Sequence, residues 1–87
     1  MKKLELVDKE VTVTAVYFGT NTQTIKTFPK SIECDDTTYT FSEGLKLVIQ
    51  KGQNLINIFD MTDGQAHYRL RNDVTARSWK LLSITQN

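Results

Sequence analysis

From Leu45 to Lys51 the chain alternates so regularly that one side of an extended segment would carry only Leu45, Leu47 and Ile49. A two-residue period is the mark of a strand, because neighbouring side chains of an extended backbone point to opposite faces, whereas a helix groups positions three and four apart. Gly52-Gln53 follows at once and reads as a tight reversal closed by Lys51 and Asn54. That closure sets Ile49 opposite Ile56 and Leu47 opposite Ile58, so the two aliphatic faces agree.

The same logic extends to the C-terminal half. Thr62-Asp63-Gly64 reads as a loop closed by Met61 and Gln65, which aligns Ile58 with Tyr68 and Ile56 with Leu70; a tighter Asp63-Gly64 turn would give another pairing. Asn72-Asp73 then precedes Ser78–Ile84, with Leu70 set against Trp79 and Tyr68 against Leu81. Leu45, Leu47, Ile49, Ile56, Ile58, Tyr68, Leu70, Trp79 and Leu81 are thereby expected to form one buried seam.

In the N-terminal half, Val11–Phe18 is rich in branched and aromatic residues, which fit a pleated surface better than a crowded helix. Asp8-Lys9 is expected to turn this run away from Leu4–Val7, and Gly19–Thr22 to interrupt it before Thr24–Phe28. Pro29 marks an edge or bend, since it cannot donate a ladder hydrogen bond. Ile32–Cys34 and Thr37–Phe41 form a hairpin around Asp35-Asp36, with Ile32 and Tyr39 on one face. Short strands at this spacing predict an all-β fold: a compact antiparallel meander, closed as a small barrel or stacked as a two-layer sandwich. Residues 1–87 are read as a single compact β domain with short frayed termini, Met1–Lys3 and Thr85–Asn87.

The chemistry-bearing residues are sparse. His67 is the sole imidazole and Cys34 the sole thiol, neither accompanied by an orienting set that would make a nucleophile and its base, and the pair falls short of a zinc site. The carboxylates of Asp60 and Asp63 are too few for a calcium loop, and Gly52 and Gly64 read as turn residues and not as a phosphate cradle. No catalytic, cofactor or metal residues are assigned, and a noncatalytic module is expected.

Two surfaces are candidates for binding. Leu55, Phe59 and Met61 lie on the face of their strand away from Ile56 and Ile58, where they would meet another protein or a second copy of the chain unless a second layer covers them. Arg69, Arg71, Arg77 and Lys80 gather around the last hairpin as a basic face suited to phosphate, the route to a nucleic-acid-binding alternative. Composition favours neither, because 11 basic and 10 acidic residues leave a formal charge of only +1. The apolar runs are too short for a membrane-spanning helix, and the charges within Leu4–Asp8 break any signal-peptide core, so integral membrane association is not expected and a cytoplasmic setting is. The sequence reading is therefore a binding or protein-interaction module of unidentified specificity.

Overall fold

The computed structural model describes the backbone of residues 3–21 and 24–86, with side chains described for all of these except 17–21 and 24–27. Eight strands account for nearly all of it: β1 (Lys3–Glu10), β2 (Thr12–Asn21), β3 (Thr24–Cys34), β4 (Thr37–Thr40), β5 (Glu43–Lys51), β6 (Asn54–Thr62), β7 (Ala66–Asp73) and β8 (Ser78–Gln86). They form a five-stranded sheet in the order β1-β8-β7-β6-β5 and a three-stranded sheet β2-β3-β4, antiparallel throughout. The all-β antiparallel expectation holds. The barrel does not close: among the described residues β1 and β5 bound one sheet and β2 and β4 the other. Among the described residues no helix is long and apolar enough to cross a membrane.

The chain changes layers at two corners. Val11 donates its N–H to the Trp79 carbonyl of β8, while the next residue, Thr12, already pairs with Glu33 in the other sheet. After β4, Phe41 donates to the Lys30 carbonyl and Ser42 to the Thr62 carbonyl, so adjacent amides serve different sheets. Each corner keeps its backbone donors satisfied while the strand direction turns.

The core lies between the layers. Ile32 from the smaller sheet and Phe41, just past β4, meet Phe59, Met61, Ala66, Tyr68, Leu70, Leu81 and Ile84 from the larger one. Phe28 meets Phe59 edge-on at 5.9 Å between ring centroids, Tyr39 and Phe41 lie 5.3 and 5.1 Å from Tyr68, and Trp79 stacks on Phe59 at 5.4 Å. At about 1.5–3 kcal/mol for each large side chain withdrawn from water, this interlayer set is the dominant favourable contribution to folding. Gly44 faces Met61 across β5 and β6, and a Cβ there would fall 2.2 Å from the Met61 sulfur and 2.9 Å from the Asp60 carbonyl oxygen. Only glycine lets these two strands approach so closely.

Pairing of β5 with β6 follows the sequence expectation: Lys51 and Asn54 close the turn, with Ile49 opposite Ile56 and Leu47 opposite Ile58. The β3–β4 hairpin also agrees, with Ile32 opposite Tyr39 and with Asp35 and Asp36 at φ 49° and 64°, the left-handed conformation of a tight hairpin turn. The next register differs. Thr62 pairs with His67, so the loop spans Asp63–Ala66, and Phe59 faces Leu70 and Met61 faces Tyr68. Because the offset from the expected pairing is odd, it reverses which face of β6 meets the core side of β7. Phe59 and Met61 are 2% and 0% exposed, whereas Leu45 and Leu47 are 73% and 60% exposed. The expected seam thus divides: Tyr68, Leu70 and Leu81 are buried, Trp79 is half-buried against the core, and the β5 aliphatics face outward.

The β7–β8 register also differs from the expected one, with Leu70 opposite Leu81, Tyr68 opposite Ile84 and Trp79 opposite Asn72, and three local expectations are corrected. Asp8-Lys9 does not turn the chain; β1 runs on to Glu10 with an irregularity between Leu6 and Lys9, Asp8 at φ 48°, and β8 as its partner. Gly19 and Thr20 do not end β2, which continues to Asn21, while Thr22 lies outside the described residues. Lys3, Thr85 and Gln86 are paired within strands and not frayed, with residues 1, 2 and 87 outside the described set. Pro29 sits in β3 opposite Val16, next to an irregularity in the β2–β3 pairing and one residue before the Lys30 carbonyl that accepts from Phe41.

The inverted face gives a direct stability test. Leu70→Ala is expected to cost about 2–5 kcal/mol in urea unfolding, whereas Leu47→Ala should change stability by no more than about 0.5 kcal/mol. Equal losses at the two positions would contradict the side of the sheet assigned to the core.

Candidate interaction surface on the five-stranded sheet

The outer face of the larger sheet is read by following its cross-strand rows. One row runs Leu4, Thr85, His67, Thr62, Glu43; the next runs Leu6, Ser83, Arg69, Asp60, Leu45. Polar groups occupy the middle strands, Leu4 and Leu6 the β1 edge, and Glu43 and Leu45 the β5 edge. A groove of about 690 Å³ crosses these rows, with Leu4 at one margin, Leu45 at the other, and Asp60, Thr62, His67, Arg69, Ser83 and Thr85 between them. Its size lies within the range of ligand sites, but its open form and mixed floor fit a chain segment or surface better than an enclosed small molecule.

Along β5 the aliphatic character is continuous. Leu45, Leu47 and Ile49 are 73%, 60% and 43% exposed on the outer side, Val48 is exposed on the other, and Ile56 and Ile58 lie half-buried beside them on β6. Isolated exposed aliphatics are ordinary on a protein surface, but a contiguous row along a free strand edge is not. This surface was missed by sequence reasoning, which placed the same residues in the core. Its signal was present in the alternation of β5, with only the face assignment inverted.

The sequence-proposed interaction set does not form a surface. Phe59 and Met61 belong to the core and Leu55 is half-buried, because the smaller sheet covers that side of β6. The basic set is partly assembled. Arg71 and Lys80 pair directly across β7 and β8, and Arg69 lies on the same face one alternation away. Their charge is locally offset, however: Arg69 grips Asp60 with Nε–Oδ1 at 2.8 Å and Nη2–Oδ2 at 3.3 Å, while Arg71 lies 3.8 Å from Asp73 and Lys80 3.8 Å from Asp8. Arg77 is exposed in the β7–β8 turn at φ 54°. Tyr68 and Trp79, the rings available in principle for base stacking, face the interlayer core.

The remaining chemical candidates have structural tasks. Asp60 is the partner of Arg69, while Asp63 closes the β6–β7 loop by accepting the N–H groups of Gln65 and Ala66 at 2.9 Å each and the Tyr68 hydroxyl at 3.0 Å. His67 is exposed on the outer face between Thr62 and Thr85. Cys34 is buried, and burial together with the adjacent Asp35 carboxylate pushes its thiol pKa up, away from the reactive thiolate. Among the described residues, no three His, Cys, Asp or Glu side chains are grouped to hold a metal ion.

The loop contacts carry a pH signature at each end of the scale. Backbone N–H groups lower the Asp63 pKa, so its contribution is present above the unfolded carboxylate value and is lost as pH falls through the folded one. Burial, then the Asp63 hydrogen bond, raise the Tyr68 pKa to about 12, so that contribution is present below the unfolded phenol value near 10 and is lost as pH rises toward 12. Asp63→Asn is expected to flatten the acid limb of a stability–pH profile and Tyr68→Phe the alkaline limb, both measured by denaturant unfolding. Unchanged limbs in the variants would remove these contacts from the pH dependence.

No protein-family model, curated protein or solved structure matches this chain, so the functional reading rests on its own geometry.

Proposed function

We propose that this chain is a noncatalytic protein-interaction module that makes its contacts through the outer face and β5 margin of the five-stranded sheet. The observation that supports this reading is the exposed row Leu45, Leu47 and Ile49, extended on β6 by Ile56 and Ile58. Burying such side chains against a partner withdraws apolar area at about 25 cal/mol per Å², and the polar floor beside them supplies orienting hydrogen bonds. Arg69 and Asp60, already joined across β6 and β7, present a pre-set charge pair beside the row.

The nucleic-acid reading through Arg69, Arg71, Arg77 and Lys80 is the weaker alternative. Phosphate binding draws its strength from unpaired cations that release counterions, and here three of those four residues have carboxylates within ion-pair distance.

A photocrosslinking amino acid at Leu47, and separately at Arg71, separates the two in cells that produce the protein. Protein adducts are expected from position 47, and no nuclease-sensitive adducts from position 71. Nuclease-sensitive adducts at 71 together with none at 47 would replace the interaction reading with the nucleic-acid one.

A further inference from the structure

We propose that the partner on the β5 margin is a second copy of this chain, joined edge to edge as an antiparallel β5–β5 pair centred on Leu47. This rests on the interaction reading above and adds to it the identity of the occupant and the register.

The two edges of the large sheet are built differently. The β1 edge carries charges at Lys3, Glu5, Asp8, Lys9 and Glu10 and is broken by the irregularity between Leu6 and Lys9, the devices by which edge strands resist pairing. The β5 edge is uninterrupted: all residues from Glu43 to Lys51 pair in register with β6, with no bulge and no proline. One charge, Lys46, lies inside the strand, and its ammonium is drawn over its own neighbour Phe59, 5.7 Å from the ring centroid and away from the free edge.

Backbone parity restricts the register. The turn closed by Lys51 and Asn54 makes that pair a hydrogen-bonded one, so the odd-numbered residues of β5 address β6 and Gly44, Lys46, Val48 and Gln50 direct their N–H and C=O groups outward. The carbonyl of Leu55, opposite Gln50, confirms the alternation by turning away from β5 to accept from Val74. A symmetric antiparallel partner must place these outward residues opposite one another. Centring the pair on Leu47 does so for all of them, setting Gly44 against Gln50 and Lys46 against Val48.

Charge then selects among the registers that parity allows. With Leu47 at the centre, Glu43 faces Lys51 of the partner at both ends of the strand, and Leu45 faces Ile49. Centring on Lys46 instead opposes two lysines, and centring on Val48 sets Lys51 against Leu45. Opposite charges directly across a strand pair stabilise it and like charges disfavour it. The Leu47 register also merges the outer aliphatic rows of both copies on one side of a continuous sheet.

Sedimentation velocity of the purified chain over a wide concentration range tests the pairing. Wild type is expected to form a reversible dimer. Glu43→Lys and Lys51→Glu should each weaken it by about tenfold, as two cross-strand attractions become repulsions, and the double variant E43K/K51E should restore it. Val48→Pro removes an outward N–H without removing a bond to β6, and should abolish the dimer while circular dichroism retains the sheet signal. A wild type that stays monomeric throughout overturns the homotypic pairing; protein adducts at Leu47 in cells would then leave the interaction reading standing with a different partner. A dimer that neither charge reversal weakens, or that the double variant fails to restore, overturns this register. Assembly growing beyond the dimer would point instead to β1 of one copy meeting β5 of the next.

Discussion

The carboxylate of Asp63 holds the β6–β7 loop by accepting two backbone N–H groups and the Tyr68 hydroxyl. With the loop fixed as Asp63–Ala66, Thr62 must pair with His67, and every later residue of β7 takes its face from that pairing. Met61 and Phe59 therefore join Tyr68 and Leu70 beneath the three-stranded sheet, and Ile56 and Ile58 join the β5 aliphatics outside. A few polar contacts at one loop thus decide which aliphatic set is dry. The energy resides in the interlayer packing, but the choice between two apolar faces of β6 is made by local geometry.

Much of the architecture was legible because some turns leave little freedom. Gly52-Gln53 fixed the β5–β6 register, and Asp35-Asp36 fixed that of β3 and β4, since both reversals demand particular backbone conformations. The β6–β7 loop resisted the same reading because the deciding element is a side chain, Asp63, whose bonds close a longer loop than its glycine suggests. β6 made the error hard to detect, as Leu55, Phe59 and Met61 form as good an apolar stripe as Ile56 and Ile58. Periodicity identifies two faces but does not rank them when both are apolar. Arg69, Arg71 and Lys80 lie on β7 and β8 and Arg77 in their turn, and the carboxylate partners Asp60, Asp73 and Asp8 depend on rotamers and a strand pairing that sequence spacing does not reveal.

The open edges follow from the way the chain is partitioned. β2, β3 and β4 leave the main layer and return, so β1 and β5 bound the larger sheet instead of meeting across it. A closed barrel would have consumed both rows of backbone donors and acceptors. Here charges and an irregularity interrupt one margin, where Leu4 and Leu6 are also exposed, while the other is an unbulged strand with the aliphatic row Leu45, Leu47 and Ile49 on its outer face. The interaction reading draws on that asymmetry more than on any single side chain.

The adjacency of β1 and β8 also governs the order in which the body can be completed. Lys3 and Leu4 pair with Gln86 and Thr85, nearly the whole length of the chain away. Local hairpins such as β5–β6 can zip within microseconds, but the first strand must wait until the last has emerged from the ribosome and closed a very large loop. Synthesis thus proceeds with the backbone of β1 unpaired and Val7 uncovered, and the docking of β8 is what ends that interval.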